Sequence, residues 1–287
     1  MTVNGVMLSM VLIIFAIGLS LAFGIMRIVN FAHGEIYMLG GMFMWFFYAK
    51  NDWFIVSNYA ASLVLTMALV GAIGFLMERL FFRKIRGNLL PGMIISVGLI
   101  FVMQASMGRA WGFTQKGIPT PSWFEGGISA LGANIPNERL WVIAICIVAV
   151  VLLYLFLQHT RYGRRMRASA ENPDAATLLG IDIGHTGGIA MAVGAALAAL
   201  GGALAGTLFQ VDSAMGALPL MKAFVAIILG GMGSLPGTVL GGFIVGFTES
   251  FGTGYLSNSA ASMLIFGVLI FVLVVRPTGF LGRAVRH

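Results

Sequence analysis

Four side chains that could do chemistry crowd into nine positions, Arg27, Asn30, His33 and Glu35, in "FGIMRIVNFAHGE". A guanidinium, a carboxamide, an imidazole and a carboxylate at that spacing could pass a proton, hold a polar solute or tie to one another. Their setting sharpens the question. An uninterrupted apolar run from Val6 precedes them, and the fourteen residues after Glu35 are almost wholly apolar. An ionisable residue committed to a membrane segment is a functional-site hypothesis by default. The alternative is structural: Arg27 snorkels as an anchor, "NFAHGE" is a short turn at the inner face, and His33 and Glu35 bond exposed backbone or Arg27. The residues leave both readings open. Glu249, in "GFTES", is a second carboxylate at the end of an apolar run.

Bond-making chemistry finds no support. "GGMGSLPGT" lacks the spacing and the lysine of a phosphate-binding loop. "HGE" imitates a zinc-deaminase signature, but its Cys-x-x-Cys partner is impossible with one cysteine. Four scattered histidines suggest no metal site. The expectation is a protein without cofactor that is not itself an enzyme.

Such residues must be held by helices in lipid. The chain has 287 residues, 59% hydrophobic and 9% charged, with a mean hydropathy of +0.96. Soluble domains carry about 25% charged residues, and the apolar runs here approach the ~20 residues that cross a bilayer core. The alternation of a β-barrel is absent. The class is an all-α polytopic membrane protein. A net charge of +7 then reads as topology rather than nucleic-acid binding, because Lys and Arg are retained in cytoplasmic loops. Cys146 lies in an apolar run and permits no internal disulfide. The first run, preceded only by "MTVNG", reads as a retained helix.

Apolar runs fall near 6–25, 33–49, 59–81, 90–109, 140–158, 187–209, 220–250 and 259–275, within one transmembrane domain, 1–287. The stretch 110–138 reads as an external loop with turns, and 159–186 as a basic cytoplasmic loop carrying Arg161, Arg164, Arg165 and Arg167. The run at 220–250 is broken by Gly230, Gly231, Gly233, Ser234, Pro236 and Gly237. As one crossing it leaves 9 basic residues inside and 8 outside; as a hairpin returning to the outer face it leaves 12 and 5. Arms of roughly 14 residues, about 21 Å, are too short for a ~30 Å core. The expectation is seven full crossings plus a broken hairpin, N-terminus outside and C-terminus cytoplasmic. Broken helices are where transporters bind substrate or ions, which makes these glycines, with Asn30, His33, Glu35 and Glu249, candidates for a translocation pathway. Close helix packing through small residues is the competing role.

The second constellation is "AENPDAATLLGID". Beyond Glu171, Asn172 can cap a helix, Pro173 suits its first position and Asp174 favours the positive end of the dipole. Gly180 supplies a left-handed stop. A two-turn helix near 173–179 would then display Leu178 and Leu179, with Ile181 beyond, either as a docking knob for a soluble partner or folded back on the protein.

Four blocks together resemble the LivH-type permease subunits of branched-chain amino-acid ABC importers: "GLSLAFGIMRIVNFAHGEIYMLGG", "GRRMRASAENPDAATLLGID", "AFVAIILGGMGSLPGTVLGGFIVGFTES" and "VVRPTGFLG". The resemblance spans most of the chain and is weakest over 110–138. It implies a multi-pass subunit of the bacterial inner membrane that pairs with a second, related permease. It also implies two cytoplasmic ATPase subunits, a periplasmic substrate-binding protein, and "ENPDAATLLGID" as the coupling helix seated in the ATPase. Urea, short amides or aromatic acids could replace branched-chain amino acids within that reading. The rivals from other classes are a proton-coupled secondary transporter using His33, Glu35 and Glu249, and a purely structural membrane scaffold.

Overall fold

The computed structural model describes residues 1–26, 28–50, 58–130, 133–276 and 278–282. It is helical almost throughout, as apolar runs in lipid must be, since only a helix satisfies its own backbone N–H and C=O groups there. The helices are α1 (Thr2–Met26), α2 (His33–Met44), α3 (Tyr59–Met77), α4 (Leu89–Trp111), α5 (Asn137–His159), α6 (Arg161–Glu171), α7 (Pro173–Leu178), α8 (Ile183–Leu208), α9 (Ala217–Gly230), α10 (Leu235–Tyr255) and α11 (Asn258–Val275). Polar side chains start many of them: Asn58, Thr160, Asn172, Asp182, Ser234 and Ser257 each accept a backbone N–H at a helix N-terminus.

The centre of the bundle is α1 against α8. In each, 78% of the most apolar 18-residue stretch is buried inside the chain, against 11% for α4 and 17% for α11. Small residues allow the approach. A methyl on Gly18 or on Gly194 would sit 2.5 Å from the other's carbonyl oxygen. Around this pair, α10 lies along α1 with Gly242 on Ile13 and Gly246 on Ser9, and α3 lies along α8 with Gly71 facing Ala192.

The two ends of the bundle differ. At one, Tyr59 and Thr207 share a 2.9 Å hydrogen bond, and β1 (Lys116–Gly117) pairs antiparallel with β4 (Gln210–Val211), Lys116 opposite Val211. Here β2 (Gly127–Ala130) and β3 (Ala133–Pro136) form a hairpin with Gly127 opposite Pro136, so the 110–138 stretch holds short strands as well as turns. The other end gathers the last turn of α3, the helices α6 and α7 and the segment after α11.

Six helices among the described residues are long and apolar enough to cross a membrane: α1, α3 with its continuation to Ile85, α4, α5, α8 and α11. Three local expectations change. The basic loop 159–186 is mostly helix, because Gly163, Met166 and Ser169 bury one stripe of α6 while its arginines face outward. The run at 33–49 is twelve residues of α2 continued by a π-helix, Trp45–Lys50, and it starts inside the bundle. The hairpin at 220–250 has unequal arms, 14 residues in α9 and 21 in α10. The longer arm spans about 31 Å. Its glycines lower its hydropathy without breaking it, since they are contact points on α1 and α9.

Candidate functional site

Beyond α1 the chain turns back on itself. Ile28 lies against Gly92 at the start of α4, and five residues later His33 is stacked on Phe15, halfway along α1, with ring centroids 5.2 Å apart at 16°. Tyr37 takes another face of the same phenylalanine at 4.9 Å. Thus 28–32 is non-helical backbone running up the interior. Asn30, 1% exposed, holds this turn: its Oδ1 accepts the Ala32 N–H at 3.0 Å. His33 is fully buried, and neither ring nitrogen meets a partner of good geometry among the described residues, the Phe15 backbone lying close by. Glu35, also buried, accepts the Gln104 Nε2–H of α4 at 2.9 Å through Oε1, while Oε2 has no partner among the described residues. Arg27 lies outside the described residues.

A second helix begins at the same place. A methyl on Gly34 would fall 2.7 Å from the Gly216 carbonyl oxygen and 3.1 Å from Leu220 Cβ, so α2 and α9 abut at their N-termini. The residues before them, Ala32 and Gly216, supply no side-chain cap. Non-helical backbone at such depth survives where protein or a wet cavity satisfies it. Asp212 does part of this, its Oδ1 accepting the Ala214 N–H at 2.7 Å. The interior breaks are therefore 28–32 and 212–216. The sequence reading put a turn at the first, but at the inner face rather than inside the bundle, and missed the second; its signal was the Asp-Ser, Gly and Pro punctuation of "VDSAMGALP".

The glycine-rich stretch 230–237 has a different setting. Gly231 (φ +98°) and Gly233 (φ +84°) make a turn whose tip, Met232, is 64% exposed. Gly230 and Gly237 pack backbone to backbone, Ser234 Oγ accepts the Gly237 N–H at 3.2 Å, and Pro236 stands in the first turn of α10. The carbonyls of Leu229 and Gly230, orphaned as α9 ends, accept N–H groups from Phe280 at 2.8 Å and Leu281 at 3.0 Å. This is a sealed turn beside the C-terminal segment. Glu249 pairs with Lys222 across the hairpin at 2.5 Å.

The docking candidate is well formed. Asn172 Oδ1 accepts the Ala175 N–H at 3.0 Å, Pro173 opens α7, and Asp174 sits in its first turn. Gly180 (φ +79°) closes it, with Gly180 N–H to Thr177 O at 2.9 Å and Ile181 N–H to Ala176 O at 3.0 Å, a Schellman stop. Ala176 is buried, whereas Leu178 and Leu179 are 89% and 81% exposed. The leucines do not fold back. Glu171 is exposed at the end of α6, and Ile181 is half-buried.

One residue the sequence reading missed fastens this region. Glu78, 0% exposed at the end of α3, pairs with Arg83 at 3.1 Å and with Arg86. Both arginines also donate to the Gly184 carbonyl, at 3.2 and 3.3 Å. The end of α3 is thus clamped to the start of α8, just beyond α7. Asp182 caps α8 by accepting the His185 N–H at 3.0 Å, and that bond chiefly holds its carboxyl below the usual carboxylate range.

Residues 1–274 match the family model "Branched-chain amino acid transport system / permease component". The chain is 33% identical over 292 aligned positions to the high-affinity branched-chain amino acid transport system permease protein LivH of Escherichia coli K12, covering 98% of this chain and 94% of that one. It is 34% identical over 294 positions to the corresponding protein BraD of Pseudomonas aeruginosa, with the same coverage. A looser likeness, with a TM-score of 0.49 and 14% identity over 97% of this chain and 91% of the other, is to PsaBC from Streptococcus pneumoniae in complex with Fab. With six helices able to cross a membrane and a match over nearly its whole length, this chain belongs to the family of branched-chain amino acid transport system permease components.

Proposed function

We propose that this chain forms the substrate pathway of an ATP-driven importer of branched-chain or other hydrophobic amino acids in the bacterial inner membrane. It works with a second, related permease, two cytoplasmic ATPase subunits and a periplasmic substrate-binding protein. The relatives named above support the substrate class. The observation that carries the coupling is α7, where two leucines at 89% and 81% exposure stand on a helix capped at both ends. A six-residue helix is too short to be stable alone, so a docked partner gives its design a purpose.

In this reading α1, α3, α4, α5, α8, α10 and α11 cross the membrane, and α2 and α9 are half-crossings that start inside it. The N-terminus is outside and the C-terminus cytoplasmic. The charge pattern supports this, since only Lys50, Arg109, Lys116, Arg139 and Lys222 among the 17 basic residues are left off the cytoplasmic side. The pathway passes the junction of Asn30, His33 and Glu35. Gly230, Gly231, Gly233, Ser234, Pro236 and Gly237 hold the inner turn, and Glu249 steadies the hairpin through Lys222.

Reconstituting the chain with its co-purifying subunits in proteoliposomes tests the reading. ATP-dependent uptake of leucine, isoleucine and valine is expected. ATP-driven uptake of urea alone, or uptake driven by a proton gradient through this chain by itself, would replace it.

A further inference from the structure

Glu35 and Glu78 are the fully buried carboxylates among the described residues; Glu78 has cations in Arg83 and Arg86, as the half-buried Glu249 has in Lys222. Glu35 is 2% exposed and has none among the described residues. Its Oε1 takes the Gln104 amide N–H at 2.9 Å, and its buried Oε2 has no hydrogen-bond partner among the described residues. An unmatched carboxylate oxygen in such surroundings is costly, and a protein that keeps one leaves a place for a donor. Asp212 stands on the break leading into α9, four residues before the Gly216 that meets Gly34.

The location suits a ligand in passage. Glu35 follows directly on Gly34, where α2 and α9 abut, and the first residues of α9 are open, Leu218 being 69% exposed. On the other side the site is closed by Gln104 of α4, the helix least buried in the rest of the chain. A hard divalent cation would want six or more oxygen ligands, and no group of three or more potential metal ligands occurs among the described residues. An ammonium group, with three N–H donors, suits an unpartnered carboxylate oxygen such as Glu35 Oε2.

We propose that Glu35, bonded to Gln104 at the α2–α9 junction, receives the α-ammonium group of an amino acid as it moves through the permease. This inference rests on the importer reading above.

The test compares wild type, Glu35→Gln and Glu35→Asp in the assembled, reconstituted complex, with leucine as the probe and ATP hydrolysis measured alongside. Glu35→Gln keeps the size and the bond to Gln104 but removes the charge. It should lower the initial uptake rate about 10- to 100-fold, the loss of one charge-assisted hydrogen bond, with the complex still assembled. Glu35→Asp should recover part of the rate. Wild-type uptake by Glu35→Gln would overturn the proposal and leave the importer reading intact. Loss of assembly together with uptake would also overturn it, by making the carboxylate a structural group. A wild-type complex that moves no amino acid would overturn both.

Discussion

Gly34 and Gly216 meet backbone to backbone inside the bundle, with 2.7 Å between a methyl placed on Gly34 and the carbonyl oxygen of Gly216. That contact lets two helices begin at one interior point. Neither residue has a positive φ, so the requirement for glycine here is space alone.

Gly34→Ala should therefore destabilise the protein by about 1–3 kcal/mol through overpacking, and Gly34→Val more. Gly98 and Gly267 are the controls, because a methyl there meets nothing within 4 Å. Alanine at either should be neutral or stabilise by up to about 1 kcal/mol. Thermal unfolding in detergent separates the cases, and a Gly34→Ala chain as stable as wild type would contradict the contact.

The C-terminal segment should be needed to finish α9. A chain ending at Arg276 loses the N–H groups of Phe280 and Leu281 that cap Leu229 and Gly230. Freed carbonyls that stay buried cost about 1–3 kcal/mol each, less as water reaches them. Amide hydrogen exchange in the last turn of α9 should quicken in the truncated chain, and unchanged protection there would count against the cap. Gly231→Leu should act on the same turn, since it forces a branched side chain into φ +98° against the backbone of Gly282. Uptake should fall while the chain still inserts.

Removing Glu78 should be more harmful than its position at a helix end suggests. Glu78→Ala leaves Arg83 and Arg86 facing each other beside the Gly184 carbonyl. Breaking a buried ion pair costs about 3–5 kcal/mol. The lower end applies, because the Arg83 side chain is 37% exposed and water screens it. Replacing all three charges with apolar residues of similar volume should cost less than the single change. Midpoints of thermal unfolding decide it, and equal losses in the two variants would rule out the clamp.

The sequence made the helices legible and the depth of their ends illegible. Long apolar runs and caps such as Asn172 and Asp182 depend on neighbours in the chain, and those elements stand close to where residue patterns put them. His33 stacking on Phe15, by contrast, depends on where the chain goes after α1, which no local pattern records. The cluster at 230–237 looked like the interior break because glycine and proline mark breaks without marking depth. Asp212 and Gly216, in a sparser pattern, are the residues at the interior junction. Glu78 escaped notice because its partners lie five and eight residues on, in what reads as an ordinary basic boundary.

The most direct measurement concerns α7, where the exposed Leu178 and Leu179 are assigned to a groove on the ATPase. Each leucine would gain about 1.5–3 kcal/mol if fully buried there, and aspartate in its place would leave a charge facing an apolar surface. Leu178→Asp with Leu179→Asp, expressed with the partner subunits, is followed by pull-down of the ATPase and by ATP-driven leucine uptake. The expected result is a chain recovered in normal yield that retains no ATPase and transports nothing. A well-folded double variant that still binds ATPase at wild-type stoichiometry and drives uptake would show that α7 is not the coupling contact.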